Sequence, residues 1–464
     1  MPFVILPTNS ISGGYDITNS LRFNSGSTDY LSRTPASSGN RRTWTLSMWF
    51  KRTNIGTNQS LWVNENGAGA NGHFNIFINS NDTITFSDTP DGANLSYNLI
   101  PSQVFRDVSA WYHLVFQLDT TQATASNRVK MYVNGSQVTA FGTATYPSQN
   151  YDGMMNRNST TYLSTLYYAA GVYALNGYVA ETYFIDGQAL TPSSFGETDS
   201  DTGIWKPKAY TGTYGTNGFY LQFKNSASLG TDSSGNGNTF TVNNLTSIDQ
   251  TTDTPTNNFC TLNPLDVAPN QTFTEGNLAV LWSALNKSNR ANFAIDTGKW
   301  YWEVKVTSVS GGSGNGVFIG ISNSSHDLGT WIGANANSWG YYASNGKIYT
   351  NNNGGTTYGN SYTLNDIINI AYDATNGKLY FGKNGTWQNS GDPVTATNPA
   401  YSSLSGLIFP SSSAYTDNSL QFNFGNPPFT IASGNTDGAG FGNFEYAVPS
   451  GYYALCTKNL ATFG

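Results

Sequence analysis

The sequence predicts an all-β protein whose strands pack as sandwiches or barrels. Three observations carry this. Apolar residues recur with period two over short runs, and those runs are punctuated by Asn-Gly turns. The composition is that of a polar, uncharged, aromatic-rich β chain: 11% charged and 14% aromatic residues, with 49 glycines and 17 prolines spread over 464 residues. An average soluble domain carries roughly 25% charged residues. A coiled coil needs Ala, Glu, Lys, Leu and Arg in bulk, and a disordered chain needs high net charge and few aromatics. A membrane-spanning helix needs about 18 successive apolar residues. The chain meets none of these conditions.

Taken in order, the elements read as follows. Trp44, Leu46, Met48 and Phe50 share one face of a strand, as do Leu114, Phe116 and Leu118, and then Val129, Met131 and Val133. Asn134-Gly135 next supplies the positive φ values of a type I′ hairpin turn. In the second half Trp300, Trp302, Val304 and Val306 face one way, and Tyr301, Glu303 and Lys305 the other. Asn376-Gly377 and Asn384-Gly385 bracket a short strand, Lys378 to Lys383, as in a tight meander. No amphipathic helix longer than two turns is expected. Many short strands with regular turn signals predict sandwiches or barrels. Residues 225–274 are rich in Asn, Thr, Ser, Asp and Pro and alternate little, and Pro255, Pro264 and Pro269 block ladder hydrogen bonds. The expected division is a docking segment at 1–16, a sandwich at 17–224, an irregular connector at 225–274, a second sandwich at 275–428 and an extension at 429–464.

Net charge is −7, with 13 basic and 17 acidic side chains in the first 260 residues and 8 and 11 in the rest. Neither half offers the basic field that nucleic-acid binding needs. Cys260 and Cys456 are too few for a disulfide framework and are expected as buried thiols, although they could pair. The opening Met-Pro-Phe-Val-Ile-Leu-Pro lacks a basic region and has too short an apolar run for a signal peptide, so synthesis in a cytoplasm is expected.

Several segments match known families. Ser20-Leu-Arg-Phe-Asn24, Trp44-Thr-Leu-Ser-Met-Trp-Phe-Lys-Arg52, Trp111-Tyr-His-Leu-Val-Phe116 and Val129-Lys-Met-Tyr-Val-Asn-Gly135 together resemble a laminin-G-like, or concanavalin A-like, domain over about 17–190. Gly298-Lys-Trp-Tyr-Trp-Glu-Val304, Gly316-Val-Phe-Ile-Gly-Ile321, Trp339-Gly-Tyr-Tyr342, Asp366-Ile-Ile-Asn-Ile-Ala-Tyr-Asp373 and Gln421-Phe-Asn-Phe424 resemble a SPRY domain over about 275–426. The resemblances imply two concanavalin-type jelly-roll β-sandwiches joined by an irregular linker. The text around them, Ala180-Glu-Thr-Tyr-Phe-Ile-Asp-Gly-Gln-Ala-Leu-Thr-Pro192, Gly203-Ile-Trp-Lys-Pro207, Gly218-Phe-Tyr-Leu-Gln-Phe223, Asp232-Ser-Ser-Gly-Asn-Gly-Asn238 and Gly451-Tyr-Tyr-Ala-Leu-Cys-Thr-Lys-Asn-Leu460, resembles large structural proteins of marine tailed phages. That resemblance implies a virion surface component, made in the host cytoplasm and carried on the particle.

The stock of reactive groups is thin. No Gly-x-Ser-x-Gly elbow or His-Glu-x-x-His occurs. His113 lies in the laminin-G-like strand and reads as structural, while His73 and His326 read as solvated loop residues. Gly67-Ala-Gly-Ala-Asn-Gly72 spells a dinucleotide fingerprint, but the following His73-Phe-Asn-Ile-Phe-Ile-Asn79 alternates like a strand, where a pyrophosphate site needs a helix. Glycoside cleavage needs two carboxylates about 5–10 Å apart. Glu181 and Asp186 are odd-spaced and point to opposite faces of a regular strand, and Glu303 has no acidic partner at even spacing. No catalytic residue and no cofactor are expected. The loops Thr198 to Gly203 and Asp232 to Asn238, with Asp199, Asp201 and Asp232, offer hard oxygen ligands for a structural Ca²⁺; the alternative is Asx-turns that use the carboxylate on their own backbone.

Binding is the better use of this composition, because Tyr and Trp on polar loops give rigid contact area at low entropy cost while Asn, Ser and Thr supply neutral hydrogen bonds. The candidates are Trp62, Tyr97, Tyr151 and Tyr162 in the first half, and Trp331, Trp339, Tyr341 and Tyr358 in the second; core packing is the alternative, strongest for Trp339 and Tyr341. The expectation is a non-enzymatic tail-fibre or receptor-binding protein that attaches to host surface glycans or proteins, in several copies so that weak contacts multiply. The alternatives are a capsid-decorating or tail-structural protein bound to other virion subunits, and a polysaccharide depolymerase. No nucleic acid and no membrane insertion are expected. A homo-oligomer is, because fibre-like virion proteins are often trimeric, although no heptad segment is present to set a trimer.

Overall fold

The computed structural model describes residues 14–65, 72–165, 173–309 and 316–464. The chain divides into two compact units, with the boundary between Thr256 and Asn257.

In the N-terminal unit the alternating apolar positions turn inward from two antiparallel sheets. The first sheet runs Ser136–Gln137, Val129–Val133, Trp111–Asp119, Thr43–Arg52, Gly177–Asp186, Ser20–Phe23 and Gln250–Thr251, with Phe219–Leu221 also on Gly177–Asp186. The second runs Phe141–Thr145, Tyr97–Pro101, Ile84–Thr89, His73–Ile78, Gln59–Glu65, Thr160–Leu163, Tyr30–Arg33 and Thr241–Asn243. Trp44, Leu46 and Met48 lie opposite Leu118, Phe116 and Leu114 in register. All six are fully buried. The Trp44 ring meets Phe74 of the second sheet edge-on at 5.4 Å, so the sheets pack face to face. Burying each such side chain contributes about 1.5–3 kcal/mol. Asn134 and Gly135 both have positive φ, and Ser136 pairs with Val133, as the expected two-residue turn requires.

The expected connector is not a free linker. Leu229, Phe240 and Leu245 are buried in the first core, and Thr241–Asn243 and Gln250–Thr251 extend the two sheets. Lys51 and Asp253, both fully buried, form an ion pair at 2.8 Å. Beyond Thr256 the former connector supplies Leu262–Val267 and Gln271–Thr274 to the C-terminal unit. Such a segment hides its role in the sequence because it delivers apolar side chains singly, without the period that marks a strand.

In the C-terminal unit a third sheet runs Leu262–Val267, Lys287–Ala291, Ile408–Ala414, Phe318–Asn323, Ser338–Tyr342, Lys347–Tyr349 and Thr356–Thr357. A fourth runs Gln271–Thr274, Ala279–Trp282, Ser419–Asn423, Lys299–Ser308, Ile367–Asp373, Lys378–Lys383 and Thr386–Trp387. Trp300, Trp302, Val304 and Val306 enter the core between them. Asn384-Gly385 makes the expected two-residue turn, whereas four residues join Asp373 to Lys378.

The C-terminal stretch is likewise no free extension. Tyr453–Ala454 adds in parallel to Lys299–Ser308, and Phe444, Tyr452, Ala454 and Cys456 form an apolar cluster with Phe259, Tyr301, Ala371 and Tyr380. A closing helix, Thr457–Phe463, buries Leu460. Cys260 and Cys456 are buried thiols that form no disulfide. The expected docking segment at 1–16 lies outside the described residues up to residue 13, as does most of the glycine-rich stretch at 67–72.

Candidate functional site

Two sandwiches expose four outward sheet faces, and in three of them irregular chain lies on top. On the first sheet, Val115, Tyr132, Tyr183, Ile185 and Tyr220 pack with Phe195, Leu190, Tyr210 and Tyr214. Beside them Trp49, Trp111 and Tyr178 pack with Ile17 and Trp205. On the third sheet, residues 324–337 lie across the serines: Ile332 N–H donates to Ser413 Oγ and Gly333 N–H to Ser338 Oγ, both at 2.9 Å. On the fourth, Tyr301, Ala371 and Tyr380 lie under Phe444 and Tyr452.

The second sheet is more polar on its outward side, where Val63, Ser87 and Thr89 are nonetheless buried. Its inward positions (Leu31, Trp62, Phe74, Ile76, Phe86, Tyr97, Leu99) build the core. By the period of two, the outward positions are Tyr30, Ser32, Val63, Glu65, His73, Asn75, Phe77, Thr85, Ser87, Asn98, Ile100 and Tyr162. Tyr162, Val63, Asn75, Ser87 and Asn98 are successive cross-strand partners and so form one row. Glu65 lies between Thr160 and His73 in the next row. Tyr30, His73, Asn75, Phe77, Thr85, Asn98, Ile100 and Tyr162 are half-buried. The rings of Tyr30 and Tyr162 sit 6.1 Å apart, and Phe77 meets Tyr173 edge-on at 5.2 Å. No Lys or Arg occupies an outward position on these strands.

Three acceptors on this face are buried without a hydrogen-bond partner: Glu65 Oε2, Asn75 Oδ1 and Asn98 Oδ1. Burial pushes the Glu65 carboxyl up to about 7 and pulls the His73 imidazole down. The arrangement presents flat rings and neutral hydrogen-bonding groups on one rigid sheet, with the three unpaired oxygens buried among them. It suits a polar ligand with hydrogen-bond donors and apolar ring faces.

Of the sequence-predicted binding residues, only Tyr162 stands on this face. Trp62 is fully buried and stacks on Phe219 at 5.8 Å. Tyr97 is fully buried against Phe86. Tyr341 is fully buried and donates to the Asn360 carbonyl. Tyr358 is buried and donates to the Phe381 carbonyl at 3.3 Å. These four are core residues and not ligand contacts, because each points into the packed interior of its sandwich. Tyr151 is half-buried and donates to Asp88 at 2.5 Å. Trp339 packs at the rim of the second core. Trp331 lies over the third sheet against Phe318 at 4.7 Å and Tyr349 at 5.7 Å. Sequence reading missed Tyr30, Glu65, His73, Asn75 and Phe77. The polar half of His73-Phe-Asn-Ile-Phe-Ile78 was the available signal.

The Asp loops use their carboxylates locally. Asp199 accepts from the backbone of Asp201 and Thr202 and pairs with Lys206 at 3.0 Å. Asp232 accepts from the backbone of Tyr220, Ser234 and Asn238. Asp201 is exposed. Among the described residues no group of three His, Cys, Asp or Glu side chains gathers to hold a metal.

The other reactive groups are held by neighbours. His113, expected as structural, is buried; its Nδ1 accepts from Trp205 Nε1 at 3.0 Å. An indole can only donate, so Nε2 carries the proton and donates to Ser47 Oγ at 2.9 Å, which leaves Ser47 without a base. His326 is buried between Asn335 and Ser288, not solvated, and His73 lies on a strand. Glu181, set at positive φ in a bulge, accepts from the hydroxyls of Tyr15, Tyr183 and Tyr220 at 2.9, 2.6 and 2.6 Å. Asp186 accepts from the backbone of Asn40 and Asn217.

Residues 25–194 match the concanavalin A-like lectin/glucanases superfamily, and residues 299–427 match the SPRY domain. Among solved structures the chain is similar to the SPRY domain of human HERC1, at 19% identity over 35% of this chain and 96% of that one, with a TM-score of 0.29. It is similar to the TRIM65 PSpry domain at 14% identity over 35% and 91%, TM-score 0.28, and to a human SPRY domain at 16% identity over 33% and 94%, TM-score 0.25. No curated protein matches the chain.

Proposed function

Given a laminin-G-like, concanavalin A-like domain followed by a SPRY domain, we propose that this protein is a non-enzymatic surface component of a tailed-phage virion that attaches to host glycans. The observation that carries the attachment reading is the pair of half-buried rings on the outward side of the second sheet, Tyr30 and Tyr162, 6.1 Å apart. Tyr30 and Tyr162 give stacking area there, and Asn75, Asn98, Ser32 and Thr85 give neutral polar contacts. Such contacts lose little to screening in salt water. The virion role rests on the likeness of residues 180–192, 203–207, 218–223, 232–238 and 451–460 to phage structural proteins. Binding of the purified chain to extracted host-surface glycan tests the attachment reading. Retention that survives high salt and falls at least tenfold in a Tyr30→Ala/Tyr162→Ala variant supports it; unchanged retention in that variant refutes it.

A second reading, protein binding by the SPRY domain, rests on the half-buried rings of Trp331, Tyr342 and Tyr349 packed around Phe318. Loss of virion incorporation in a Trp331→Ala variant that still folds supports it, and normal incorporation refutes it.

A further inference from the structure

The strand Phe141–Thr145 ends the second sheet and, among the described residues, pairs on one side only, with Tyr97–Pro101. Gly142, Thr143, Ala144 and Thr145 are all exposed. A sheet edge is an open template for another strand, and natural proteins blunt it with charge, proline or bulges. Of the strands that end the four sheets, this is the longest that carries neither a charge nor a proline. Residues 131–151 contain no Asp, Glu, Lys or Arg. The bulge at Gly142 sits at the start of the strand and leaves Thr143–Thr145 regular. Backbone groups alternate between the two sides of a strand. Counted across the register from the Asn79 N–H to Thr83 C=O bond, Phe86 turns its groups to Leu99, and Thr143 and Thr145 turn theirs to Ile100 and Asn98. The Ala144 N–H and C=O therefore point to the open side.

We infer that this edge joins two copies of the chain, antiparallel across a two-fold axis at Ala144. Each Ala144 N–H donates to the partner's Ala144 C=O, so the strand is its own complement there. Thr143 faces the partner's Thr145, and Gly142, with no side chain, leaves room for the partner's Tyr146. Because the stretch is uncharged, no like charges meet when a copy pairs with itself, and a foreign strand finds no charge to select it. The two second sheets then run as one. A two-fold axis normal to the sheet keeps both Tyr30 and Tyr162 ring pairs on the same side, where weak sites act together. The pairing itself does not depend on the attachment reading.

The test is sedimentation velocity of the full chain at concentrations up to about 100 µM, with circular dichroism to show that each variant folds. The unmodified protein should sediment as a monomer–dimer equilibrium. Thr143→Lys/Thr145→Lys sets like charges against each other on both sides of the axis and should weaken the dimer at least tenfold. Thr143→Lys/Thr145→Glu sets opposite charges in the same places and should leave the dimer within threefold of the unmodified protein, or tighten it. All these positions are exposed in the single chain, so neither variant should lose its fold. A monomer at every concentration overturns the inference. So does an oligomer that the first variant forms as well as the unmodified chain, which places the contact elsewhere. Equal weakening in both charged variants overturns the antiparallel register, because only that register sets residue 143 against the partner's residue 145.

Discussion

Tyr183 donates its hydroxyl to Glu181, two residues back along the same strand, at 2.6 Å. The second sandwich repeats the relation: Tyr301 donates to Glu303, two residues on, at 2.9 Å. Each glutamate is buried on the outward side of a sheet beneath irregular chain, and each ties that chain down. Glu303 also accepts from Asn423 Nδ2 and from the backbone N–H groups of Glu445 and Tyr446. These carboxylates hold layers together; neither faces a second acid across a cleft.

Glu303→Ala should therefore strip four donors of their acceptor. A buried donor left unpaired costs about 1–3 kcal/mol, so the loss should reach about 3 kcal/mol or more. Limited proteolysis should cut within 430–464 before it cuts the sheets. Cleavage no faster than in the unmodified protein would show that the apolar cluster alone holds the segment.

Trp62 and Tyr162 should separate core from surface. Trp62→Ala removes a fully buried ring and should cost about 3–5 kcal/mol. Tyr162→Ala, half-buried, should change stability by less than about 1 kcal/mol and weaken glycan binding. Denaturant melts and glycan retention on the two variants check both statements.

Asp88 gives the N-terminal unit a pH dependence. It is fully buried, and desolvation pushes its carboxyl up to about 6, although Tyr151 and Met154 N–H oppose this. A group that binds its proton more tightly in the folded state favours folding below its unfolded pKa. That contribution is lost as pH rises from about 4 to about 6. The loss is at most about 3 kcal/mol. Stability of the unmodified protein relative to Asp88→Asn should thus fall over this interval and stay level above it. A constant difference from pH 4 to 7 would contradict it.

Cys456 lies at the start of the closing helix, and burial pushes its thiol up to about 12. A protonated, buried thiol is inert. Neither cysteine should react with a thiol reagent at pH 8 in the native protein. Removing residues 457–464, which takes away Leu460 and Phe463, should make Cys456 reactive while Cys260 stays protected. Labelling followed by peptide mass measurement checks this.

Period-two patterning was enough to place Thr43–Arg52, Trp111–Asp119, Val129–Val133, Lys299–Ser308 and Lys378–Lys383, and to set which of their residues face inward. It failed for 225–274 and 429–464, where apolar residues arrive singly and their partners are distant in sequence. It failed for single rings too. Trp62 follows a bulge between Ser60 and Trp62 that shifts the alternation, and Tyr97 sits between Ser96 and Asn98, yet the cross-strand register turns both inward.

By itself the sequence determined an all-β chain of sandwiches or barrels, because alternation and Asn-Gly turns are local and each strand carries its own; the concanavalin type was what its family resemblances implied. Only the tertiary structure decided where the aperiodic segments come to rest, because their partners are distant in sequence: Phe444 and Tyr452 pack on Tyr301 and Tyr380, and Ile332 N–H finds Ser413.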